Sequence, residues 1–594
     1  MPPLVAHLLL SRGLADEAAA KAFLHPSLDQ LHDPYLMLGM TAAVARIQQA
    51  ISAGEPILVY GDYDVDGTVA TVLLKTALEM VHARSGPKGD KGEKDKPADI
   101  RFHIPHRIRE GYGMQAGIIA AAAESGVRLV ISVDTGMRDH GPANEAAAQG
   151  IDLIITDHHL PDAEHQLPRA LAVVNPNQPG CTYPFKSLCG AGIVFKLAQA
   201  LLEASCADGP TRQRLREKTV PSFLKLLSIA TIADCVPLTG ENRVIVALGL
   251  AELARPAQSG LRALMELASL DLTRPPTAID VAFRLAPRIN AAGRMDVAAD
   301  VVELFLTRDP ARGRALAEKL HALNEARRNT EAAAIAAIES RLETMADLPA
   351  CLVLDDPAWH RGVLGILASR VVERTGRPVL VLSHEDGQAH GSGRSVPGFH
   401  LLDALTHAHG VAPENEEQGT ELSEHGRLFT RFGGHAHAVG FSLPSANIET
   451  LRRRMHRYAL TFELAAQPPL ECDAELPLAE ISDELAQWLD RFAPFGMDND
   501  EPVFLAQKLS LVEAPRLLKQ VHLKLLLEDP ATGARRSALA WGRGAGWAGP
   551  IAQMGLRQGS LVDVAYRLRR NLHPEFGGLE LEIAALRLSA QPSS

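Results

Sequence analysis

The stretch Ile57-Leu58-Val59-Tyr60-Gly61-Asp62-Tyr63-Asp64-Val65-Asp66-Gly67 decides how the rest of the chain is interpreted. Its apolar first half is typical of a buried strand in a parallel sheet, and it runs directly into three alternating aspartates. Carboxylates this close together raise each other's pKa and cost stability unless a cation collects there. Because ligands bind at the carboxyl ends of strands in open α/β sheets, we expect a site here, followed by a helix over residues 68–80. An Asp-rich surface turn is the alternative, whereas an EF-hand calcium loop is disfavoured by Leu73 at its closing position.

Three later apolar segments end in the same kinds of residue. Residues 129–133 run into Asp134, residues 153–156 run into Asp157-His158-His159, and a further apolar segment ends at Asp234. Carboxylate and imidazole together suit Mg²⁺ and Mn²⁺, and shared aspartates hold two such ions about 3.5–4 Å apart. The four segments together therefore predict a metal site where their carboxyl ends meet.

Four motifs, Gly-Asp-Tyr-Asp-Val-Asp-Gly (61–67), Ser-Val-Asp-Thr-Gly (132–136), Thr-Asp-His-His (156–159) and Ile-Ala-Asp-Cys-Val-Pro-Leu (232–238), resemble in order those of the DHH phosphoesterases. Over nearly its whole length, the chain is most similar to the bacterial members that degrade single-stranded DNA. The resemblance implies two-metal-ion phosphodiester hydrolysis with two Mn²⁺ or Mg²⁺ ions. The ligands that it implies are Asp62, Asp64, Asp66, Asp134, His158 and Asp234.

Two residues of this set of motifs are expected to take part in the chemistry directly. Asp134 is the best candidate for the ligand that bridges the two ions. His159 is expected either to support a ligand or to donate to the scissile phosphate or the leaving oxygen. Asp157 is expected to organise the turn. Which ligand holds which ion stays open at this point.

Arginines in two segments are candidates for phosphate contacts. Arg107 and Arg109 stand beside glycine-rich turns, where guanidinium groups can fork onto phosphate oxygens. In similar proteins this segment faces the 5′ end of the substrate, which favours Arg107, while Arg109 could equally be a solvated surface charge. Residues 284–295 resemble a segment that lines the DNA path, so Arg294 is a candidate together with Arg288 and Asn290, with structural salt bridges as the alternative.

A second pair of motifs is predicted to hold the end of the substrate. Gly391-Ser392-Gly393-Arg394-Ser395 and the segment 432–440 resemble the signatures of the DHH-associated domain. The glycines are expected to let backbone N–H groups approach a phosphate, and Ser392 and Arg394 to complete a pocket for a terminal 5′-phosphate. His435 is expected to stack on a base or to bond to a phosphate.

The predicted fold class is α/β, in which a parallel-sheet DHH domain is joined by a long helix to a second α/β domain, the DHH-associated domain. Short strands near the C-terminus are consistent with a small β-barrel, which the resemblance makes an OB-fold. The expected boundaries are 1–50 for a helical cover packed on the first strand, 51–310 for the catalytic domain, 311–345 for the linking helix, 346–465 for the substrate-binding domain and 466–594 for the OB-fold. The charged stretches 85–97 and 413–427 are expected to be surface insertions.

The bulk composition excludes several classes of protein. Hydrophobic residues make up 46% and charged residues 22%, which is ordinary for a soluble globular chain. No apolar run approaches a membrane span and no cleavable leader is recognisable, so we expect a cytoplasmic protein. The six scattered cysteines form no Cys-x-x-Cys pair of the kind that binds zinc. The net charge of -11 argues against a general coating of nucleic acid but permits a local basic channel.

The resemblance implies a 5′-to-3′ exonuclease that releases 5′-mononucleotides from single-stranded DNA in recombination and repair. A monomer is expected, with a single-strand-binding protein and a RecQ-type helicase as candidate partners. One rival is a DHH phosphatase for short oligonucleotides or small phosphoanhydrides, against which the C-terminal barrel counts. The other is a scaffold without activity that binds DNA or replication proteins, against which the full set of carboxylates and histidines counts.

Overall fold

The protein folds around three β-sheets, each with its own apolar core. This architecture comes from a computed structural model, which describes residues 1–85, 98–161, 166–410, 427–462, 469–542, 546–571 and 577–589. The insertions predicted over 85–97 and 413–427 lie outside these residues, apart from Ser85 and Arg427. Among the described helices, none combines the length and the apolar character needed to span a lipid bilayer.

The first sheet is parallel throughout, as predicted. Its strands are β1 (Ile57–Tyr60), β2 (Ile100–His103), β3 (Leu129–Val133), β4 (Asp152–Thr156) and β5 (Ala172–Val174). They lie in the order β2-β1-β3-β4-β5. Ile57 and Val59 face one core cluster while Leu58 and Tyr60 face another, so both surfaces of the sheet are covered. This two-sided burial explains why β1 and β3 are continuous apolar runs.

Helices cover this sheet and extend the domain beyond it. They are α1 (Pro3–Ser11), α2 (Glu17–Leu24), α3 (Met40–Ala53), α4 (Val65–Ser85), α5 (Ala116–Glu124), α6 (His140–Ala148), α7 (Gly190–Ala204), α8 (Gly209–Arg214), α9 (Val220–Ala233), α10 (Gly240–Leu253), α11 (Ser259–Leu267), α12 (Ala278–Asp280), α13 (Ala286–Met295) and α14 (Ala299–Leu306). The apolar segment before Asp234 is helix α9, unlike the three segments that end as strands. It is buried around its whole circumference, which removes the periodicity that would have marked it as a helix.

The long helix predicted over 311–345 is α15 (Pro310–Thr344). It begins where the Asp309 carboxylate accepts a hydrogen bond from Ala311 N–H at 2.9 Å. Leu316 and Leu320 pack into the core of the first sheet, whereas Ile338 and Leu342 pack into the core beside the second sheet. The helix therefore joins the two α/β regions rigidly through apolar contacts at both ends.

The second sheet is mixed. It contains β6 (Leu352–Asp355), β7 (Val379–Glu385), β8 (Gln388–Arg394), β9 (Arg431–Gly434) and β10 (Ala438–Pro444), with helices α16 (Leu364–Thr375), α17 (Leu401–Gly410) and α18 (Ile448–Ala459). The strand order is β6-β7-β8-β10-β9, in which β6 and β7 are parallel and the other neighbours are antiparallel.

The third sheet forms the C-terminal domain and confirms the predicted OB-fold. Its strands are β11 (Ala474–Glu475), β12 (Phe504–Leu511), β13 (Arg516–Leu518), β14 (His522–Glu528), β15 (Arg535–Ala540), β16 (Leu561–Asn571) and β17 (Gly578–Leu588), with helices α19 (Asp483–Asp490) and α20 (Ala548–Met554). Besides the order β11-β12-β16-β17-β15-β14-β13, β12 also pairs with β14. This extra pairing curls the sheet into a partial barrel.

The first two helices do not pack where the sequence predicted. Val5, Leu8 and Leu9 of α1 and Leu24 of α2 belong to the core of the C-terminal domain, and only α3 packs on the first sheet. The buried guanidinium of Arg243 on α10 fastens this arrangement. It donates to the carbonyls of Phe23, Arg491 and Phe492 at 3.0, 2.8 and 2.8 Å. The two ends of the chain therefore form one structural unit.

Candidate active site

All of the predicted metal ligands come together at the carboxyl edge of the first sheet. Asp62 and Asp64 follow β1, and Asp66 lies in the first turn of α4. Asp134 follows β3 with a φ of 58°, a left-handed conformation that a residue other than glycine adopts rarely and mostly at functional sites. His158 follows β4, and Asp234 caps the carboxyl end of α9.

The predicted ligands fall into two groups that could each hold a metal ion, and a third, overlapping group combines Asp134 and His158 with His159. One group is Asp62, Asp64 and Asp134, and the other is Asp66, His158 and Asp234, with the ligand atoms of each group within 4.8 Å of one another. His158 Nε2 lies 3.3 Å from Asp134 Oδ1 and 3.8 Å from Asp234 Oδ2. Asp134 thus stands at the boundary between the two groups, the place that a bridging ligand requires.

The electrostatics of these carboxylates fit bound cations. Asp62, Asp66 and Asp134 are at most 3% exposed, although nothing in the described residues pairs them with Lys or Arg at salt-bridge distance. Burial, and after it the neighbouring carboxylates, raise the pKa of Asp62, Asp134 and Asp234. Asp62 Oδ1, Asp134 Oδ1 and Asp234 Oδ2 are buried oxygens without a hydrogen-bond donor among the described atoms. Such oxygens cost stability unless a ligand satisfies them, and hard divalent ions such as Mn²⁺ or Mg²⁺ match their chemistry.

Asp157 organises the turn that carries both histidines, as the sequence predicted. Its Oδ1 accepts from His158 N–H at 2.8 Å and lies 2.7 Å from His159 Nδ1, and its Oδ2 accepts from Met137 N–H at 2.9 Å. Burial opposes the charge on His159, but the Asp157 carboxylate prevails and raises the His159 pKa to about 9. The turn therefore places the His159 imidazole, in contact with Asp157, beside the metal ligands.

Two asparagines, for which no role was predicted, stabilise the same turn through hydrogen bonds to its backbone. Asn175 donates to the His159 carbonyl at 2.9 Å, and Asn177 donates to the His158 carbonyl at 2.8 Å. Their position in an Asn-Pro-Asn sequence directly after β5 was the signal available in the sequence.

The start of helix α7 holds the carboxylates in place, although no chemical role was predicted for Gly190. Gly190 N–H donates to Asp66 Oδ2 at 2.6 Å, and Ala191 N–H donates to Asp66 Oδ1 at 2.9 Å. A Cβ on Gly190 would lie 2.5 Å from Asp134 Oδ1. Glycine is therefore required here, because the helix start must approach two aspartates at once.

Tyr112 is a further residue of the site that the sequence did not reveal. Its hydroxyl donates to the Asp134 carbonyl at 3.4 Å and lies 3.2 Å from His159 Nδ1. The flanking Gly111 and Gly113 have φ values of 84° and 90°, and a Cβ on Gly113 would lie 2.7 Å from the Asp139 carboxylate. The two glycines thus permit the backbone bend that places Tyr112 next to His159.

A positively charged cleft lies beside the metal ligands, between the two α/β regions. Arg107 stacks on the Tyr63 ring, with its Cζ 4.8 Å from the ring centroid. Burial, and then the charges of Arg107, Arg327 and Arg394, lower the pKa of Arg294 to about 10. The predicted residues Arg107, Arg294 and Arg394 therefore lie close enough for their charges to act on one another, together with Arg327 from α15.

The second sheet and α16 supply the other wall of the cleft. Ser392 and Arg394 project from the same face of β8 because they are two residues apart on a strand. Gly365 brings the start of α16 against them: a Cβ there would lie 3.2 Å from both Ser392 Oγ and Arg394 Nη2. A 3-10 turn over Arg361–Val363 leads directly into α16, and the His360 side chain caps it by accepting from Gly362 N–H at 3.1 Å. The partial positive charge of this helix start suits an anion.

Three details of the sequence predictions need correction. Gly391 and Gly393 do not offer their backbone to a phosphate, because they lie in β8 and pair with strands on both sides. They are glycines because a Cβ would lie 2.2 Å from the Phe441 ring at Gly391 and 2.5 Å from Leu380 at Gly393. Asn290 accepts from Val65 N–H and so supports the first motif.

The last two predicted substrate contacts are Arg288 and His435. Arg288 Nε donates to Nδ1 of His321 on α15 at 3.2 Å, so this arginine makes a structural contact. His435 is exposed on the turn after β9, and burial and then His437, Arg394 and His159 lower its pKa. It therefore lies near enough to Arg394 and His159 for their charges to act on it.

Comparison with known proteins agrees with this geometry. The family model for the DHH family N-terminal domain matches residues 56–231, that for the DHHA1 domain matches 348–460, and that for the RecJ OB domain matches 472–584. The single-stranded-DNA-specific exonuclease RecJ of Dickeya dadantii is 34% identical over 552 residues, which are 91% of this chain and 89% of that protein. The chain belongs to the RecJ family. RecJ of Escherichia coli is 32% identical over the same shares of the two chains. RecJ of Bacillus subtilis is 35% identical, and the match spans 89% of this chain but 62% of that longer protein.

Solved RecJ structures show the same fold with metal ions bound. RecJ of Thermus thermophilus in complex with Mn²⁺ superimposes with a TM-score of 0.76 at 30% identity, covering 99% of this chain and 76% of that one. The same RecJ has also been solved with Mg²⁺, with a TM-score of 0.71 and 28% identity. RecJ of Thermus thermophilus thus binds Mn²⁺ and Mg²⁺, the kinds of metal ion that the ligands of this chain predict.

Proposed function

We propose that this chain is a metal-dependent nuclease that degrades single-stranded DNA from its 5′ end and releases 5′-mononucleotides, acting in DNA recombination and repair. The observation that carries the proposal is the position of the arginine cleft beside the two metal-ligand groups. When an anion pocket next to a hydrolytic centre binds the terminal phosphate, that phosphate lies at a fixed distance from the bond that breaks. The pocket therefore determines how far from the strand end the cut is made. The names of the RecJ relatives, single-stranded-DNA-specific exonucleases, support the same substrate.

The metal ligands set the chemistry. Two Mn²⁺ or Mg²⁺ ions held by Asp62, Asp64 and Asp134 and by Asp66, His158 and Asp234 would activate water and stabilise the charge that develops on the phosphate. His159 is placed by Asp157 and Tyr112 to donate a proton or a hydrogen bond to the scissile phosphate or the leaving 3′ oxygen.

The cleft residues set the direction of degradation. Arg107, Ser392 and Arg394, together with the start of α16, would bind a terminal 5′-phosphate, while Arg294 and His435 contact the neighbouring backbone or base. We assign catalysis to residues 51–310, the holding of the strand end to 346–465 and binding of the following single strand to 466–594. A passage between the first two regions that admits one strand would exclude duplex.

We further propose that the chain works as a cytoplasmic monomer, because one chain supplies both ligand groups and both walls of the cleft. Its substrate needs a free single-stranded 5′ end, so a RecQ-type helicase and a single-strand-binding protein are the partners that we propose. Light scattering of the pure protein tests the oligomeric state.

Digestion of a 5′-phosphorylated single strand, labelled at either end, tests the central proposal. With Mn²⁺ we expect mononucleotides from the 5′ end, no digestion in EDTA, and little digestion of the matching duplex. Consumption of short oligonucleotides alone would favour the small-substrate phosphatase. No metal-dependent turnover on either substrate would favour the scaffold.

A further inference from the structure

The anion cleft extends beyond the residues needed for one terminal phosphate. It is open to solvent, measures about 200 Å³, and its lining includes Arg107, Arg361, His390, Ser392 and Ser442. A water molecule needs about 10–15 Å³ of such space, so the cleft has room for several waters.

The cleft runs away from the metal ligands. Arg107 marks its near end, because its guanidinium stacks on the ring of Tyr63, which stands between Asp62 and Asp64. His390 lies two residues before Ser392 on the same face of β8, which places the two Cα atoms about 7 Å apart. Arg361 and His390 both line the cleft beyond Ser392.

The far end is polar and carries one guanidinium group, that of Arg361, beside His390 and Ser442. His390 Nδ1 lies 2.9 Å from Ser442 Oγ on the neighbouring strand β10. Arg361 is about one-third exposed, and Glu385 at 3.2 Å neutralises it only partly because that carboxylate is mostly in solvent. These groups can donate to oxygens that extend past the phosphate held by Ser392 and Arg394.

We propose that the far end of the cleft binds the second and third phosphates of a strand that carries a 5′-triphosphate, so that the enzyme degrades such strands directly. The proposal rests on the 5′ exonuclease activity proposed above. Such ends belong to strands begun de novo from a nucleoside triphosphate. Water attacks the phosphorus of the first phosphodiester and the bond to the 3′ oxygen of the first nucleotide breaks. That oxygen leaves as a hydroxyl, and the phosphate stays on the second nucleotide as its new 5′-phosphate. The first product is then a nucleoside 5′-triphosphate, and all later products are monophosphates.

The test uses the full chain with Mn²⁺ and three versions of one single-stranded DNA, carrying a 5′-hydroxyl, a 5′-monophosphate or a 5′-triphosphate. We expect the triphosphate strand to be degraded with a kcat/KM within about tenfold of the monophosphate strand, the worth of roughly one charge-assisted hydrogen bond. Chromatography of the earliest products should show one nucleoside triphosphate per strand.

Variants at the far end separate this inference from the central proposal. We expect Arg361→Gln and His390→Ala to lower kcat/KM on the triphosphate strand by about tenfold, with the monophosphate strand changed less than about twofold. Glu385→Gln removes the competing carboxylate and should raise use of the triphosphate strand by about twofold. Arg312→Gln, which breaks a comparable surface pair with Glu303 outside the cleft, is the matched control and should change neither substrate.

Each outcome decides one question. If the monophosphate strand is degraded but the triphosphate strand survives, or yields pyrophosphate before any nucleotide, the further inference is overturned while the exonuclease stands. Equal losses on both strands in Arg361→Gln overturn it too, since the residue would then serve the first phosphate or the fold. Failure to degrade any of the three strands refutes the exonuclease proposal itself.

Discussion

The metal-ligand groups and the arginine cleft are two clusters of like charges, and they are built in opposite ways. The aspartates and His158 are positioned by one sheet and the helices that pack on it, with the backbone of α7 bound to Asp66. The arginines come from the loop after β2, from α13, from α15 and from β8, on both sides of a gap. The first cluster is therefore fixed within one domain, whereas the second exists only while the linking helix holds two domains together.

In both clusters, repulsion between like charges favours the binding of a ligand of opposite charge. Each cluster is unfavourable by itself and becomes favourable when its ligand arrives, because divalent ions neutralise one and phosphate groups neutralise the other. We therefore expect damage to the first cluster to abolish the chemistry and damage to the second to weaken the hold on the strand end.

The largest effect should follow from Asp134→Asn, which removes a charge from the boundary of the two ligand groups. We expect release of mononucleotides to fall on the order of a thousandfold or more, since both ions depend on this residue. Mn²⁺ should raise the melting temperature of the native protein and should do so much less in the variant. Asp271→Asn, at an exposed turn, is the control, and a variant that keeps a tenth of the activity would contradict the bridging role.

Gly190→Ala tests whether the backbone of α7 is part of the same cluster. The new methyl group would collide with the Asp134 carboxylate, so we expect activity to fall by about a hundredfold with a smaller loss of stability. Gly117→Ala in the first turn of α5, where a Cβ meets nothing within 4 Å, is the matched control. Normal activity in Gly190→Ala would show that the helix start can retreat without cost.

Arg394→Gln tests the second cluster. We expect KM for a 5′-phosphorylated strand to rise about tenfold or more, with a smaller change in kcat, because a charge-assisted contact to the terminal phosphate is lost. The preference for a 5′-phosphate over a 5′-hydroxyl should disappear. A lower kcat with KM unchanged would instead assign Arg394 to the chemical step and remove the distinction between the two clusters.

The smallest effect is expected from Tyr112→Phe, which keeps the ring and removes the hydroxyl that contacts both Asp134 and His159. We expect kcat to fall by about tenfold or less at unchanged KM, the value of one hydrogen bond that fixes a catalytic group. In a His159→Ala background the same change should have little further effect. A rise in KM alone would mean that Tyr112 contacts the strand.

The sequence predicted the first cluster far better than the second, for a physical reason. Strand ends of a parallel sheet meet at one edge, so the apolar runs before Asp62, Asp134 and His158 were enough to bring these ligands together. Asp234 was found from its motif although its helix was taken for another such segment. The contacts of Gly190 and Tyr112 depend on how a helix start and a bent loop approach the site, and nothing in their spacing indicates this.

The cleft could be predicted only in part because it lies between two domains. Arg107, Arg294, Ser392 and Arg394 were identified through family motifs. Arg327 and the start of α16 were not, because their place depends on the packing of α15 and of the second sheet. The interlocked N-terminal helices were missed for the same reason, since amphipathic helices do not specify which sheet they will cover.

The core that α1 and α2 share with the OB domain also has a consequence for folding during synthesis. These helices are translated long before the strands that cover Val5, Leu8 and Leu9. At about 5–20 residues per second, their apolar faces wait on the order of half a minute to two minutes for a partner. A shortened gene that omits the OB domain would leave these faces uncovered permanently, and its product should be captured by chaperones or aggregate.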